Sequence, residues 1–165
     1  LPTINGAQQA AARTAAATQV TYAADDDGAE LRMDIAKAYP AAAGVRSWVR
    51  TVRLNRGRNI TIGDRATLAG ASKDITLNLM TPCEVIVSQP GELRLTCATT
   101  GRPTVVMAAR FNATAQTATL ERKPIDDPLL TRSWGDHLTR ILLTASAATS
   151  AIDWTLTLSR TAVGR

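Results

Sequence analysis

The sequence predicts an all-β fold, an antiparallel β-sandwich of about ten strands with little helix. Two observations predict it. From Val20 onward apolar and polar residues alternate with period two, and the alternating runs are separated by short reversals rich in Gly, Pro and Asn. Alternation at period two sends successive side chains to opposite faces, so one face buries while the other stays wet. Short reversals join antiparallel neighbours, whereas parallel strands need crossover connections of a dozen or more residues.

In Glu30-Leu31-Arg32-Met33-Asp34-Ile35 every second residue is apolar, so Leu31, Met33 and Ile35 face a core and the charges face water. The same pattern predicts strands at 46–54, 60–68, 73–80, 84–87, 93–97, 105–109, 117–122, 137–144 and 152–158. The reversals are Asn55-Arg56-Gly57-Arg58, Ser88-Gln89-Pro90-Gly91, Thr100-Gly101-Arg102-Pro103 and Asn112-Ala113-Thr114-Ala115. Gly, Pro and Asn supply the backbone angles that such turns need. The one helix candidate in the body is 36–39, stopped by Pro40. The Ala-rich stretch 7–17 has helical propensity, but its apolar side chains are too small to anchor a helix, and it reads as extended or weakly ordered.

At 165 residues the chain reads as a single domain over 1–165, long enough to bury a core. Its 45% apolar and 20% charged residues are those of a globular protein and argue against disorder. No apolar run approaches the roughly 20 residues needed to cross a bilayer, so no membrane span is expected. The opening Leu1-Pro2-Thr3-Ile4-Asn5-Gly6 has neither an initiator Met nor a charged-then-apolar leader, and reads as a mature chain or an excised piece. A net charge of +5 and a pI near 9.9 favour polyanionic partners. Aromatics are only 4% of the chain and form no stacking platform for bases, so nucleic acid is not expected as the partner.

Candidate chemistry is sparse. His137 is the only histidine, and its neighbour Asp136 would point to the opposite face of a strand, so His137 reads as structural. Asp25-Asp26-Asp27 before Gly28 reads as a solvated hairpin tip, with a spacing that matches no EF-hand loop; Asp126-Asp127 also lies beside turn residues. Neither a metal site nor a cofactor site is expected. Arg46 and Arg50 share the parity of Trp48, Arg53 lies opposite, and Arg56 and Arg58 flank Gly57 at a hairpin tip. Arg50, Arg53, Arg56 and Arg58 are therefore candidates for contact with an acidic substrate, set against the plainer reading of a solvated strand and turn. With Pro90 at the centre of its hairpin, residues whose numbers sum to 180 face each other, and Cys83 and Cys97 meet that condition. They are either a cross-strand disulfide or two buried thiols. The thiols are preferred, because directly opposed strand positions strain a disulfide. No phosphate loop, nucleophile elbow or His-Glu-x-x-His helix is present, and no complete active site is found.

Several segments, in order, resemble the C-terminal portion of the heparinase II/III family of bacterial polysaccharide lyases. They are Leu1-Pro2-Thr3-Ile4-Asn5-Gly6 with Gln9; Ser47-Trp48-Val49-Arg50-Thr51-Val52-Arg53-Leu54-Asn55-Arg56-Gly57; Asn78-Leu79-Met80-Thr81-Pro82; and Ile125-Asp126-Asp127-Pro128-Leu129 followed by Trp134-Gly135-Asp136. The resemblance implies a larger parent with an N-terminal α-helical toroid and a C-terminal antiparallel sandwich, in the periplasm or secreted. Such lyases cleave uronic-acid-containing polysaccharides by β-elimination. Their Tyr, Asn and His participants lie on the toroid and on earlier sandwich residues, so Tyr22, Tyr39 and His137 inherit no catalytic role. The resemblance makes the chain a C-terminal fragment that scaffolds the cleft, contacts acidic polysaccharide and is inactive alone, with the missing toroid as its partner. It also implies an apolar edge or face that the rest of the enzyme covers. Two other readings stay open: a stand-alone carbohydrate-binding module for acidic glycans, and a non-catalytic structural or adhesion sandwich.

Overall fold

The computed structural model describes residues 1–99 and 102–161. Among them are twelve strands: β1 (Pro2–Ile4), β2 (Thr18–Ala24), β3 (Gly28–Asp34), β4 (Val45–Asn55), β5 (Asn59–Ser72), β6 (Ile75–Thr81), β7 (Glu84–Gln89), β8 (Glu92–Thr99), β9 (Arg102–Arg110), β10 (Gln116–Pro124), β11 (His137–Ala145) and β12 (Thr149–Arg160). They form two antiparallel sheets. One has four strands in the order β1-β6-β11-β10, the other eight in the order β2-β3-β4-β5-β12-β9-β8-β7. The fold is the all-β sandwich that the alternation predicts.

The interior lies between the sheets in two clusters. One gathers Ile4 and Ile75 of the small sheet against Trp48, Ala66, Ile152 and Trp154 of the large sheet, with Ile35 and Tyr39 from the β3–β4 connection. The other gathers Leu77, Ile141 and Leu143 against Leu93, Leu95 and Leu156, with Cys83 at its margin. The large sheet is twice as broad as the small one. Leu54 and Ile60, directly paired and sharing the parity of Trp48, are partly open to solvent, and Tyr22 on the edge strand is 70% exposed. These residues leave part of the large sheet's apolar surface open.

Each predicted strand has a counterpart, but the structure corrects several details. β1 and β2 go beyond the prediction: β1 is only three residues long, and β2 carries a register shift between Thr18 and Thr21, which blurs its alternation. Lys73 and Asp74 lie in the turn between β5 and β6, not in a strand. The segment 36–39 forms a 3-10 turn, Ala36–Ala38, and a second follows at Ala41–Ala43. A true helix, α1 (Pro128–Trp134), stands where none was predicted. Its signals are local: Asp127 caps the Leu129 and Leu130 amides, Pro128 occupies the first turn, and Gly135 follows the last residue. The β7–β8 hairpin turns at Pro90-Gly91, with Val85↔Leu95 and Val87↔Leu93 in the predicted register. Gly91 is required there: its φ is +79°, and an added Cβ would lie 2.7 Å from the Phe111 carbonyl oxygen. Of the predicted reversal Thr100-Gly101-Arg102-Pro103, Arg102 and Pro103 instead begin β9, and Thr100 and Gly101 lie outside the described residues.

Candidate functional site

The arginines of β4 and its hairpin share one stretch of sequence and occupy three different environments. Arg50 points inward. On β5 the inward residues run Ile60, Ile62, Asp64, Ala66, Leu68, so one carboxylate interrupts an apolar series and lies directly opposite Arg50. Asp64 Oδ1 accepts hydrogen bonds from the Trp48 indole at 2.6 Å and Arg50 Nε at 2.8 Å, and Oδ2 accepts from Arg50 Nη2 at 2.8 Å. The Arg50 and Asp64 side chains are 12% and 1% exposed. Three donors, two of them the fork of a guanidinium, offset the desolvation of the buried carboxylate. Arg50 is thus committed to the interior and presents no free guanidinium to a substrate.

Arg53 faces the other side of the sheet, where it meets Asn55 Oδ1 at 2.9 Å and Glu30 at 3.4 Å. Arg56 and Arg58 are exposed at the β4–β5 tip. That tip stands against the β2–β3 tip: Arg56 donates its backbone N–H to the Asp27 carbonyl and its Nε to the Asp25 carbonyl at 3.4 Å. Asp25 Oδ1 in turn accepts from the Asp27 and Gly28 amides, which accounts for its place in the turn. The acidic tip partly neutralises the basic one. Arg46 departs from the predicted face: a register shift between Val45 and Ser47 takes it out of phase with Trp48, and it is exposed.

His137 and Asp136 correct a second expectation. β11 begins at His137, so Asp136, just after Gly135, is not held to strand geometry and turns back onto the ring. His137 Nδ1 lies 2.6 Å from Asp136 Oδ1, Nε2 lies 3.6 Å from Glu84 Oε1, and Arg122 meets the other Asp136 oxygen at 2.8 Å. The hydrogen bond to His137, reinforced by the charges of His137 and Arg122, holds the Asp136 carboxyl below its ordinary range. This cluster ties the start of β11 to the start of β7, one strand from each sheet. Tyr39 is buried with its hydroxyl donating to the Pro2 carbonyl at 2.7 Å, a packing contact. No group of three or more His, Cys, Asp or Glu side chains among the described residues is placed to share a metal ion.

Cys83 and Cys97 are bonded to each other, and the preference for thiols is corrected. Cys83 precedes the first residue of β7, and its amide is held by Thr81 Oγ1 rather than by a ladder partner, so its backbone is not bound to regular strand geometry. The two Cα atoms are 4.4 Å apart, within reach of a bridge. Sequence reasoning passed over Asp64 and Gly63 on β5. The signal for Asp64 was a lone carboxylate at an inward parity facing an arginine; that for Gly63 was a glycine inside a long strand run.

No family model matches the chain, and no curated protein matches it. Among solved structures it is similar to a mutant of heparan sulfate lyase HepC from Pedobacter heparinus, with a TM-score of 0.62 and 9% sequence identity over 87% of this chain and 21% of that one. At that identity the likeness is one of fold: this chain is an antiparallel sandwich like one that makes up about a fifth of that lyase's length.

Proposed function

We propose that the chain is the β-sandwich portion of a heparinase II/III-like polysaccharide lyase, exported to the periplasm or secreted, that scaffolds an active-site cleft built with an α-helical toroid. The observation that carries this reading is the likeness of fold to a segment of a heparan sulfate lyase over 87% of this chain. The sequence resemblance around Trp48 and Trp134 supports it, and the Cys83–Cys97 disulfide supports an oxidising compartment. The chain alone is inactive, because the residues that resemble the family's motifs supply no base and no acid for β-elimination. The exposed guanidinium groups of Arg56 and Arg58 are its contacts to acidic polymer, whereas Arg50 is structural.

The test is the ultraviolet absorbance of unsaturated uronate. The 165-residue chain should release none from heparan sulfate or alginate, and the full-length protein should release it from one such polymer. Turnover by the chain alone overturns its role as a scaffold. No product from the full-length protein on any uronate polymer overturns the lyase reading.

A further inference from the structure

The outer face of the eight-stranded sheet, turned away from the small sheet, carries a trough of about 250 Å³ with Gly63 in its lining. Gly63 lies in the interior of β5, paired on one side with Thr51 of β4 and on the other with Thr155 of β12, and Thr51 pairs in turn with Arg32 of β3. Arg32, Thr51, Gly63 and Thr155 therefore form one straight row across four strands, roughly 14 Å long at the usual strand spacing. In the next row Arg65 and Asp153 stand as an exposed ion pair at 3.0 Å and wall the trough on one side.

Nothing in the fold requires a glycine at 63. Its φ is not positive, and an added Cβ would approach nothing closer than the Thr51 carbonyl oxygen at 4.0 Å. A glycine inside a central strand weakens it and often marks a bulge, a bend or a close approach by a ligand or another backbone; at 63 the ladder is regular on both sides and no backbone comes near, which leaves the face open to a ligand. The floor is anchored from beneath as well as open. Asp64, the next residue, is clamped from the opposite face by Trp48 and Arg50, and along β12 Thr155 lies between Trp154 and Leu156, both buried on the opposite face. Apart from Val49 the lining is polar: two threonine hydroxyls, the Asp153 carboxylate, one oxygen of which holds Arg65, and the guanidinium of Arg32, which is exposed and makes no ion pair among the described residues.

We propose that this trough is a binding subsite for one acidic sugar unit of a polysaccharide, lying apart from the β4–β5 tip. Arg32 takes the carboxylate, Thr51, Thr155 and Asp153 take ring hydroxyls, and the ring rests over Gly63. The choice of an acidic sugar rests on the lyase reading; the place of the site rests on the sheet.

The probe is an unsulfated glucuronate-containing tetrasaccharide, with the same tetrasaccharide reduced at its carboxylates as control, titrated into the isotope-labelled chain while amide chemical shifts are followed. Shifts should centre on Thr51, Gly63 and Thr155, and the reduced sugar should bind more weakly. Arg32→Ala should weaken binding of the acidic sugar about tenfold, as one lost charge-assisted hydrogen bond does, and leave the reduced sugar unaffected. Gly63→Val should abolish binding of both while the thermal midpoint holds or rises, because a β-branched residue suits a central strand. Shifts centred on Arg56 and Arg58 would overturn the trough and leave the lyase reading standing. No shift anywhere, or unchanged binding by folded Gly63→Val and Arg32→Ala, also overturns it, while the product assay on the full-length protein decides the lyase reading separately.

Discussion

The two halves of the sandwich interior are held by different means. Around Trp48 the gap between the sheets holds three large aromatic side chains, Trp48, Trp154 and Tyr39, among aliphatic ones, and two of their polar tips are bonded inside: the Trp48 indole to Asp64, the Tyr39 hydroxyl to the Pro2 carbonyl. Around Leu93 the filling is aliphatic and needs no such partners, but this half runs out to the edge hairpin β7–β8, where the Cys83–Cys97 bond fastens the chain. An aromatic interior rich in polar tips depends on a hydrogen-bond network that is all or nothing. An aliphatic one has no such dependence and is tied down at its edge by the disulfide.

The largest expected effect comes from breaking the network in the first half. Asp64→Ala leaves Arg50 buried without a counter-charge and the Trp48 indole without an acceptor, and should cost about 3–5 kcal/mol in urea unfolding. Replacing Arg50 by Met and Asp64 by Leu together removes both charges and should cost less than Asp64→Ala alone; equal or greater loss in the double variant would show that the pair itself is strongly stabilising. Reduction of the disulfide comes next. The cysteines are 14 residues apart, and closing a loop of that size stabilises by about 3 kcal/mol. Reductant, or Cys83→Ala with Cys97→Ala, should lower the unfolding midpoint and open β7–β8 first, with hydrogen exchange around Trp48 unchanged. Simultaneous loss of protection in both halves would refute the distinction between them.

This division also separates what was legible in the sequence from what was not. The strands from β3 onward were readable because period-two burial imprints itself on the residue pattern, and the hairpin register of Cys83 with Cys97 followed from the position of Pro90. Whether those cysteines bond depends on backbone geometry just outside the ladder, which alternation does not encode. The fate of Arg50 depended on Asp64, a residue one hairpin away; only pairing β4 with β5 in register turns an apparent surface arginine into a buried one. The bulge at Val45–Ser47 that sends Arg46 outward, and the freedom of Asp136 to turn back onto His137, are likewise consequences of where strands begin and slip. Of the trough, the sequence showed only an unremarkable glycine. Its meaning lies in three neighbouring strands.

A smaller effect tests the second polar handle. Burial pushes the Tyr39 hydroxyl up to about 12 by disfavouring the phenolate, an effect that the Arg50 charge and the Gln9 side chain oppose and to which the Asp64 charge adds. The folded protein then keeps a proton that the unfolded chain begins to lose near its ordinary value of 10.0. The sign follows: this contribution is complete below pH 10 and is lost as pH rises from 10 towards 12. Tyr39→Phe should flatten that part of the stability curve and, by leaving the Pro2 carbonyl unpaired, cost about 1 kcal/mol at neutral pH. A slope unchanged in Tyr39→Phe would assign the titration to another group.

The smallest effect belongs to α1, which lies outside both halves. Asp127 caps it, and removing an N-cap of this kind costs about 1 kcal/mol of helix stability. Yet α1 buries no residue: Leu129 is 71% exposed, and Leu130 and Trp134 are each half exposed. A helix with no buried face can unravel without opening the interior, so its loss is local and does not add to the cost of global unfolding. Asp127→Ala should therefore speed hydrogen exchange at Leu129 and Leu130 and sharpen proteolytic cleavage within 128–134, while the urea midpoint reported by Trp48 and Trp154 stays put. A shift of that midpoint comparable to the disulfide effect would mean that α1 supports the sandwich, and the cluster of Asp136, His137 and Glu84 at its end would then be the path by which it does so.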